Sequence, residues 1–164
     1  MRFWLLDTVE SFVPNESLTA IKNVSLTEEY LKDHFPEFPV LPGVFMLEAA
    51  TQAAAWLLRL SDDMAHSIIT LNQAKNIKYA NFVTPGKQLR MTVNQISKDE
   101  RMATFKVTGE IDGASAISGR IVLERYNLAD GDPARAELDK RVRNYLNKAM
   151  KTTVRQEIME AIAK

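Results

Sequence analysis

Apolar positions change period several times along this chain of 164 residues, and each change predicts an element. Phe3, Leu5, Leu6, Val9, Phe12 and Val13 precede a Pro14-Asn15 turn signal and predict a short helix passing into a strand. Residues 17–26 alternate at Leu18 and Ala20, less cleanly at Ile21 and Val24, and with their β-branched residues predict a strand. Ser25 to Glu29 reads as the start of a short helix running to Phe35 and stopped by Pro36. Prolines 36, 39 and 42 forbid a helix through 34–42. From Val44 to Leu60 the chain reads VFMLEAATQAAAWLLRL, apolar on nearly every side, which predicts a central helix wrapped by other structure.

Beyond Asp62-Asp63 the period shortens to two. Residues 67–72 and 76–82 predict two strands, followed by Thr84-Pro85-Gly86. Residues 88–98, 102–111 and 114–126 alternate cleanly, with Asp99-Glu100 and Asp112-Gly113 as their turns, and predict an antiparallel meander. From Ala134 to Lys164 neither proline nor glycine occurs, and Leu138, Val142, Leu146, Met150, Val154, Ile158 and Ile162 recur every fourth residue. That spacing predicts an amphipathic helix of roughly 30 residues, about 45 Å if unbroken. The expected fold is α+β, a curled antiparallel sheet around one helix. The expected division is residues 1–129 as the main domain and 130–164 as a helical extension.

Composition narrows the function classes. Lys plus Arg and Asp plus Glu are both 21, so no net charge draws the chain to nucleic acid or an anionic membrane. Without cysteine there is no disulfide, thiolate metal site or cysteine nucleophile. The apolar N-terminal patch is too short for a signal or a membrane span, and the expectation is a cytoplasmic protein with no membrane insertion. The tail carries eight basic and six acidic residues, too small an excess for an electrostatic role.

Chemistry concentrates in residues 34–52, HFPEFPVLPGVFMLEAATQ, which hold one of two histidines and three of six prolines. Glu48 lies among Phe45, Met46, Leu47, Ala49 and Ala50, where desolvation would favour the protonated form that a general acid needs. Its plain alternative is a carboxylate paired with a cation or placed at the helix rim. His34 is suited to proton abstraction near neutral pH, or else it binds helix carbonyls. A helix beginning at Gly43-Val44 aims free N–H groups at an oxyanion, unless Pro42-Gly43 is simple turn chemistry. His66, after the acidic turn, reads as structural. Together these residues could remove a proton beside a carbonyl and expel a β-hydroxyl.

The stretch resembles the signature of the FabZ-type 3-hydroxyacyl-[acyl-carrier-protein] dehydratases: His-Phe-Pro-Gly-x-Pro-Val-x-Pro-Gly-Val, a Glu four residues on and a Gln four further. His34, Phe35, Pro36, Pro39, Val40, Pro42, Gly43, Val44, Glu48 and Gln52 match, and Glu37 stands where the family has glycine. The likeness extends over about residues 3–127. It implies a hot-dog fold, and a homodimer whose sites take His from one chain and Glu from the other. Three dimers commonly assemble into a hexamer in that family. His34 would take the α-proton, Glu48 would protonate the leaving hydroxyl, and the N–H of Gly43 or Val44 would hold the thioester oxygen, with Phe35 and Gln52 supporting. No metal or other cofactor is implied. The partner implied is an acidic acyl carrier protein bearing the substrate, docked near Lys75 and Lys78. A hot-dog thioesterase and a non-catalytic acyl or carrier-binding module are the alternatives.

Overall fold

The computed structural model describes residues 3–162. Its elements are β1 (Thr8–Val13), β2 (Ser17–Asn23), α1 (Gly43–Ser61), β3 (Ile68–Tyr79), β4 (Gln88–Lys98), β5 (Met102–Ile111), β6 (Ala114–Tyr126), α2 (Ala136–Thr153) and α3 (Gln156–Ile162), with short 3-10 turns at Glu29–Lys32, Leu128–Asp130 and Pro133–Arg135. The strands form one antiparallel sheet in the order β1-β2-β4-β5-β6-β3.

Alternation explains why the sheet curls around α1. Leu89, Met91 and Val93 on β4, Ala103, Phe105 and Val107 on β5, and Ile117, Ile121 and Leu123 on β6 all point inward and are buried. They meet a helix whose residues Ala53 to Leu58 are buried on every side. Each large side chain so buried contributes about 1.5–3 kcal/mol of transfer free energy. The β5–β6 hairpin turns on Asp112 and Gly113, whose φ values of 50° and 79° suit the two-residue turn expected there. The fold is α+β and of hot-dog type, as the periodicity and the motif foresaw.

Four local expectations change. Residues 3–7 are not helical; Leu5 and Leu6 are buried in an extended segment leading into β1. The helix expected to reach Phe35 shrinks to the 3-10 turn, because the prolines that follow admit no further helical bond and Phe35 itself sits at φ 53°. The two strands expected at 67–72 and 76–82 are one strand, β3, which ends at Tyr79. Its ladder with β6 continues through the polar middle with register shifts at Leu71/Gln73 and Lys75/Lys78. β3 is an edge strand with an exposed outer face, so polar residues fit it, and Asn76 takes the left-handed conformation (φ 54°) at the second shift. There Ile77 tucks against Gly119, where a Cβ would lie 2.5 Å from the Ile77 methyl.

The C-terminal helix is broken. Val154 is extended, with φ −96° and ψ 131°, and forms a parallel bridge to Val9 of β1. Three consecutive β-branched residues, Thr152, Thr153 and Val154, weaken the helix there, and burial of Val154 against the body favours the break. Leu146 and Val154 join the main core, while Leu138 and Ile162 at the ends of the stripe remain exposed. Asp139 anchors α2: its buried carboxylate accepts the Ser67 hydroxyl and the N–H groups of Leu128 and Ala129, both at 2.9 Å. Among the described residues no helix is long and apolar enough to cross a membrane.

Candidate active site

The loop 34–42 delivers His34 to the N-terminal end of α1. Leu41 fixes the loop by donating its N–H to the Val83 carbonyl at 2.8 Å. His34 Nδ1 lies 3.1 Å from the Val40 carbonyl oxygen. A carbonyl only accepts, so Nδ1 carries the proton and Nε2 presents a lone pair. The imidazole thus does bind a carbonyl, but one from its own proline loop, and that bond orients the ring as a base. Phe35 packs beside it, with ring centroids 4.4 Å apart.

A cavity of about 240 Å³ opens in front of this ring, lined by His34, Phe35, Val40, Leu41, Gly43, Met46, Tyr79, Ala80, Asn81 and Phe82. It is largely apolar, with the imidazole, the Tyr79 phenol and the Asn81 amide as its polar side chains. Asn81 is held by its own bond to the Ser115 carbonyl, 2.7 Å. The residues from Tyr79 to Phe82 were expected in a strand and given no role in the site; they lie just before the Thr84-Pro85-Gly86 turn.

Helix α1 starts at Gly43 after Pro42, whose carbonyl accepts from Phe45 (2.9 Å) and Met46 (3.2 Å). Among the described residues the N–H groups of Gly43 and Val44 have no acceptor, as the first helical residues commonly do not. Their free hydrogens and the positive end of the helix dipole favour an oxygen that gains negative charge. Glycine at 43 lets the Tyr79 ring approach closely: a Cβ would lie 3.2 Å and 3.3 Å from carbons of that half-exposed ring. Burial pushes the Tyr79 phenol above its ordinary pKa, so it stays neutral beside the cavity.

Glu48 takes the rim position, the plain alternative to a desolvated acid. It is half-buried, and its Oε1 accepts the Gln52 amide at 2.9 Å. The first half of α1 is not wrapped: Val44 is 65% exposed, and Phe45, Leu47, Glu48 and Gln52 are half-buried. Glu48 does not line the cavity that holds His34. A single chain therefore gathers His34, Phe35 and Gly43 into one site and leaves Glu48, Val44 and Gln52 along an open flank of the helix. Gln52 also supports the N-terminal segment, accepting the Leu5 N–H (3.0 Å) and donating to the Phe3 carbonyl (3.0 Å).

Lys75 and Lys78 are exposed on β3, whose end leads through Tyr79 into the cavity wall. Glu37 is exposed next to Phe35, Phe38 and Phe82 in an outer cleft that shares Phe35 and Phe82 with the cavity. His66 lies elsewhere, in a larger cavity of about 590 Å³ by the C-terminal end of α1, and burial and the nearby Arg125 cation lower its pKa. That cavity is bigger but holds none of the residues of the 34–52 motif. Among the described residues no cluster of acidic or histidine side chains could hold a metal ion.

A family model described as ApeI-like, ApeI dehydratase, matches residues 10–120. The 3-hydroxyacyl-[acyl-carrier-protein] dehydratase FabZ of Janthinobacterium sp. (strain Marseille) is 35% identical over 135 residues, covering 79% of this chain and 85% of that protein. The FabZ of Shewanella loihica is 35% identical over 130 residues, covering 77% and 85%. Among solved structures, a chain of the dehydratase heterocomplex ApeI:P from Xenorhabdus doucetiae superposes with a TM-score of 0.67 at 19% identity, covering 82% of this chain and 90% of that one. A mutant thioesterase from Pseudomonas aeruginosa superposes at 0.57 with 18% identity, covering 72% and 79%. The structural likenesses establish the hot-dog fold, and the sequence matches establish the lineage. The chain belongs to the ApeI-like dehydratase family and is a relative of the FabZ dehydratases.

Proposed function

We propose that this protein dehydrates 3-hydroxyacyl thioesters carried on acyl carrier protein to trans-2-enoyl thioesters, in fatty-acid or related lipid biosynthesis. The observation that carries the reading is the imidazole of His34, whose Nδ1–H is committed to the Val40 carbonyl and whose Nε2 is free at a largely apolar cavity. In this reading His34 Nε2 takes the proton from the α-carbon. The thioester oxygen gains negative charge and is held by the N–H of Gly43 or Val44. The C–O bond at the β-carbon then breaks, and Glu48 protonates the departing hydroxyl, so water leaves and a double bond forms between the α- and β-carbons. The residues present supply base, acid and oxyanion donors without a cofactor.

Glu48 comes from a second copy in this scheme. Its position outside the His34 cavity of its own chain supports that, as do the exposed flank of α1 and the uncovered edge strand β3. Phe35 packs the base in place, Gln52 orients the acid, and Lys75 and Lys78 receive the acidic carrier.

The test is to incubate the protein with a 3-hydroxyacyl thioester and follow both enoyl product and free thiol. Enoyl formation without thiol is expected, and thiol release would instead mark hydrolysis. His34→Ala and Glu48→Gln should each lower the dehydration rate by at least about 10²-fold. Near-unchanged activity in either variant would remove that residue from the mechanism.

A further inference from the structure

Of the polar side chains that line the His34 cavity, two already have their tasks. His34 is oriented as a base by the Val40 carbonyl, and the Asn81 amide is held by the Ser115 carbonyl. The remaining one is Tyr79. Its hydroxyl has no hydrogen-bond partner among the described residues and no part in the scheme above.

Strand pairing and a close approach fix where that hydroxyl stands. Tyr79 is the last residue of β3 and is paired with Ile117 of β6. Beyond it the Ala80 N–H donates to the Ala116 carbonyl at 2.8 Å and prolongs the ladder. One edge of the Tyr79 ring lies against the first residue of α1: Cε1, Cδ1 and Cγ are 3.2, 3.3 and 3.4 Å from where a Cβ of Gly43 would be. Cε1, the nearest of them, is bonded to the ring carbon that carries the hydroxyl. The phenol oxygen is thus two bonds from the ring atom nearest Gly43, whose N–H has no acceptor among the described residues. An oxyanion takes its donors at about 2.7–3.1 Å, a spacing that lets one oxygen serve an N–H and a hydroxyl this close together. Burial raises the phenol above its ordinary pKa, so at neutral pH it keeps its proton and can donate it to a hydrogen bond.

We propose that Tyr79 is a further catalytic residue, whose hydroxyl donates a hydrogen bond to the thioester oxygen beside that of the backbone N–H as His34 takes the α-proton. The inference rests on the dehydratase reading and adds a side-chain donor to it. No proton changes hands at Tyr79. The electron pair of the broken C–H bond delocalises onto the thioester oxygen, and the hydrogen bond tightens as that oxygen gains charge. It relaxes when the pair returns to form the double bond and expel the β-hydroxyl. A contact that strengthens only as charge develops lowers the barrier without tightening substrate binding.

Tyr79→Phe removes the oxygen and keeps the ring against Gly43. With a 3-hydroxyacyl thioester of N-acetylcysteamine, kcat and kcat/KM should fall together by at least about tenfold, with KM within about twofold of wild type. The matching thioester without the β-hydroxyl cannot dehydrate and mimics the ground state; its affinity should also stay within about twofold. Thermal unfolding should place Tm within about 1 °C of wild type. An unchanged kcat would overturn the role of Tyr79 and leave the dehydratase reading intact. So would a loss of affinity for the ground-state mimic as large as the loss of kcat/KM, since the hydroxyl would then act in binding alone. Absence of enoyl product with wild type would sink the dehydratase reading, and the role of Tyr79 with it.

Discussion

Gln52 is the residue at which support for the fold and support for the site meet, and its removal has a calculable outcome. Its amide accepts the Leu5 N–H, donates to the Phe3 carbonyl, and donates to Glu48. A net hydrogen bond between neutral groups is worth about 0.5–1.5 kcal/mol, and one to a charged group about 1.5–3 kcal/mol. Gln52→Ala loses all three. Water reaches this half-buried position and replaces part of the loss, which brings the expected destabilisation to about 2–4 kcal/mol. For a domain of this size that lowers Tm by roughly 5–12 °C. Thermal unfolding of both proteins at one matched concentration measures it, since assembly makes Tm concentration-dependent. Hydrogen exchange at the Leu5 amide should accelerate in the same variant, because its acceptor is gone. A Tm within about 1 °C of wild type together with an unchanged Leu5 amide would refute the claim that Gln52 ties the N-terminal segment to α1.

Gly43→Ala should shift stability by no more than about 1 kcal/mol in denaturant unfolding, since its Cβ comes 3.2 Å from the half-exposed Tyr79 ring, which can give by a few tenths of an ångström; a loss above about 3 kcal/mol would mean that the ring is rigidly held. Asp139 has its carboxyl held below the ordinary carboxylate range: burial alone would raise it, but the bonds from Ser67, Ala129 and Leu128, with the nearby Arg143 charge, outweigh burial. A carboxyl with a depressed folded-state pKa contributes stability that is present above its unfolded-state pKa and is lost as pH falls through the folded-state pKa. Asp139→Asn should therefore be less stable at neutral pH and show a flatter acid limb, measured as unfolding midpoint from about pH 7 down to about pH 3; parallel pH profiles would rule out the anchor.

The sequence by itself determined the layout of the fold. Alternation in 88–98, 102–111 and 114–126 requires three strands with one buried face, and the apolar run from Val44 to Leu60 requires a covered helix. Its 34–52 motif also carried the family, because ten positions at fixed spacing admit few other readings. Where it failed, two outcomes of similar local energy were decided by contacts distant in sequence. The break at Val154 depends on Val9, 145 positions away in the chain. The single long β3 depends on pairing with β6, which carries the ladder across a polar stretch that reads locally as a gap.

The site divides the same way. His34 and Gly43 could be named from residue type and spacing, but the acceptor that fixes the tautomer, Val40, is a backbone carbonyl and leaves no mark in the sequence. The Tyr79 to Phe82 wall reaches the cavity only because β3 runs back along β6 towards the start of α1. Glu48 looked desolvated because its sequence neighbours are apolar. In the fold, three of those neighbours, Met46, Ala49 and Ala50, turn inward, and the carboxylate lies on the flank that the sheet does not cover. A helix places successive residues about 100° apart, so apolar neighbours in sequence do not bury a side chain; only the packing of the sheet decides which flank stays open.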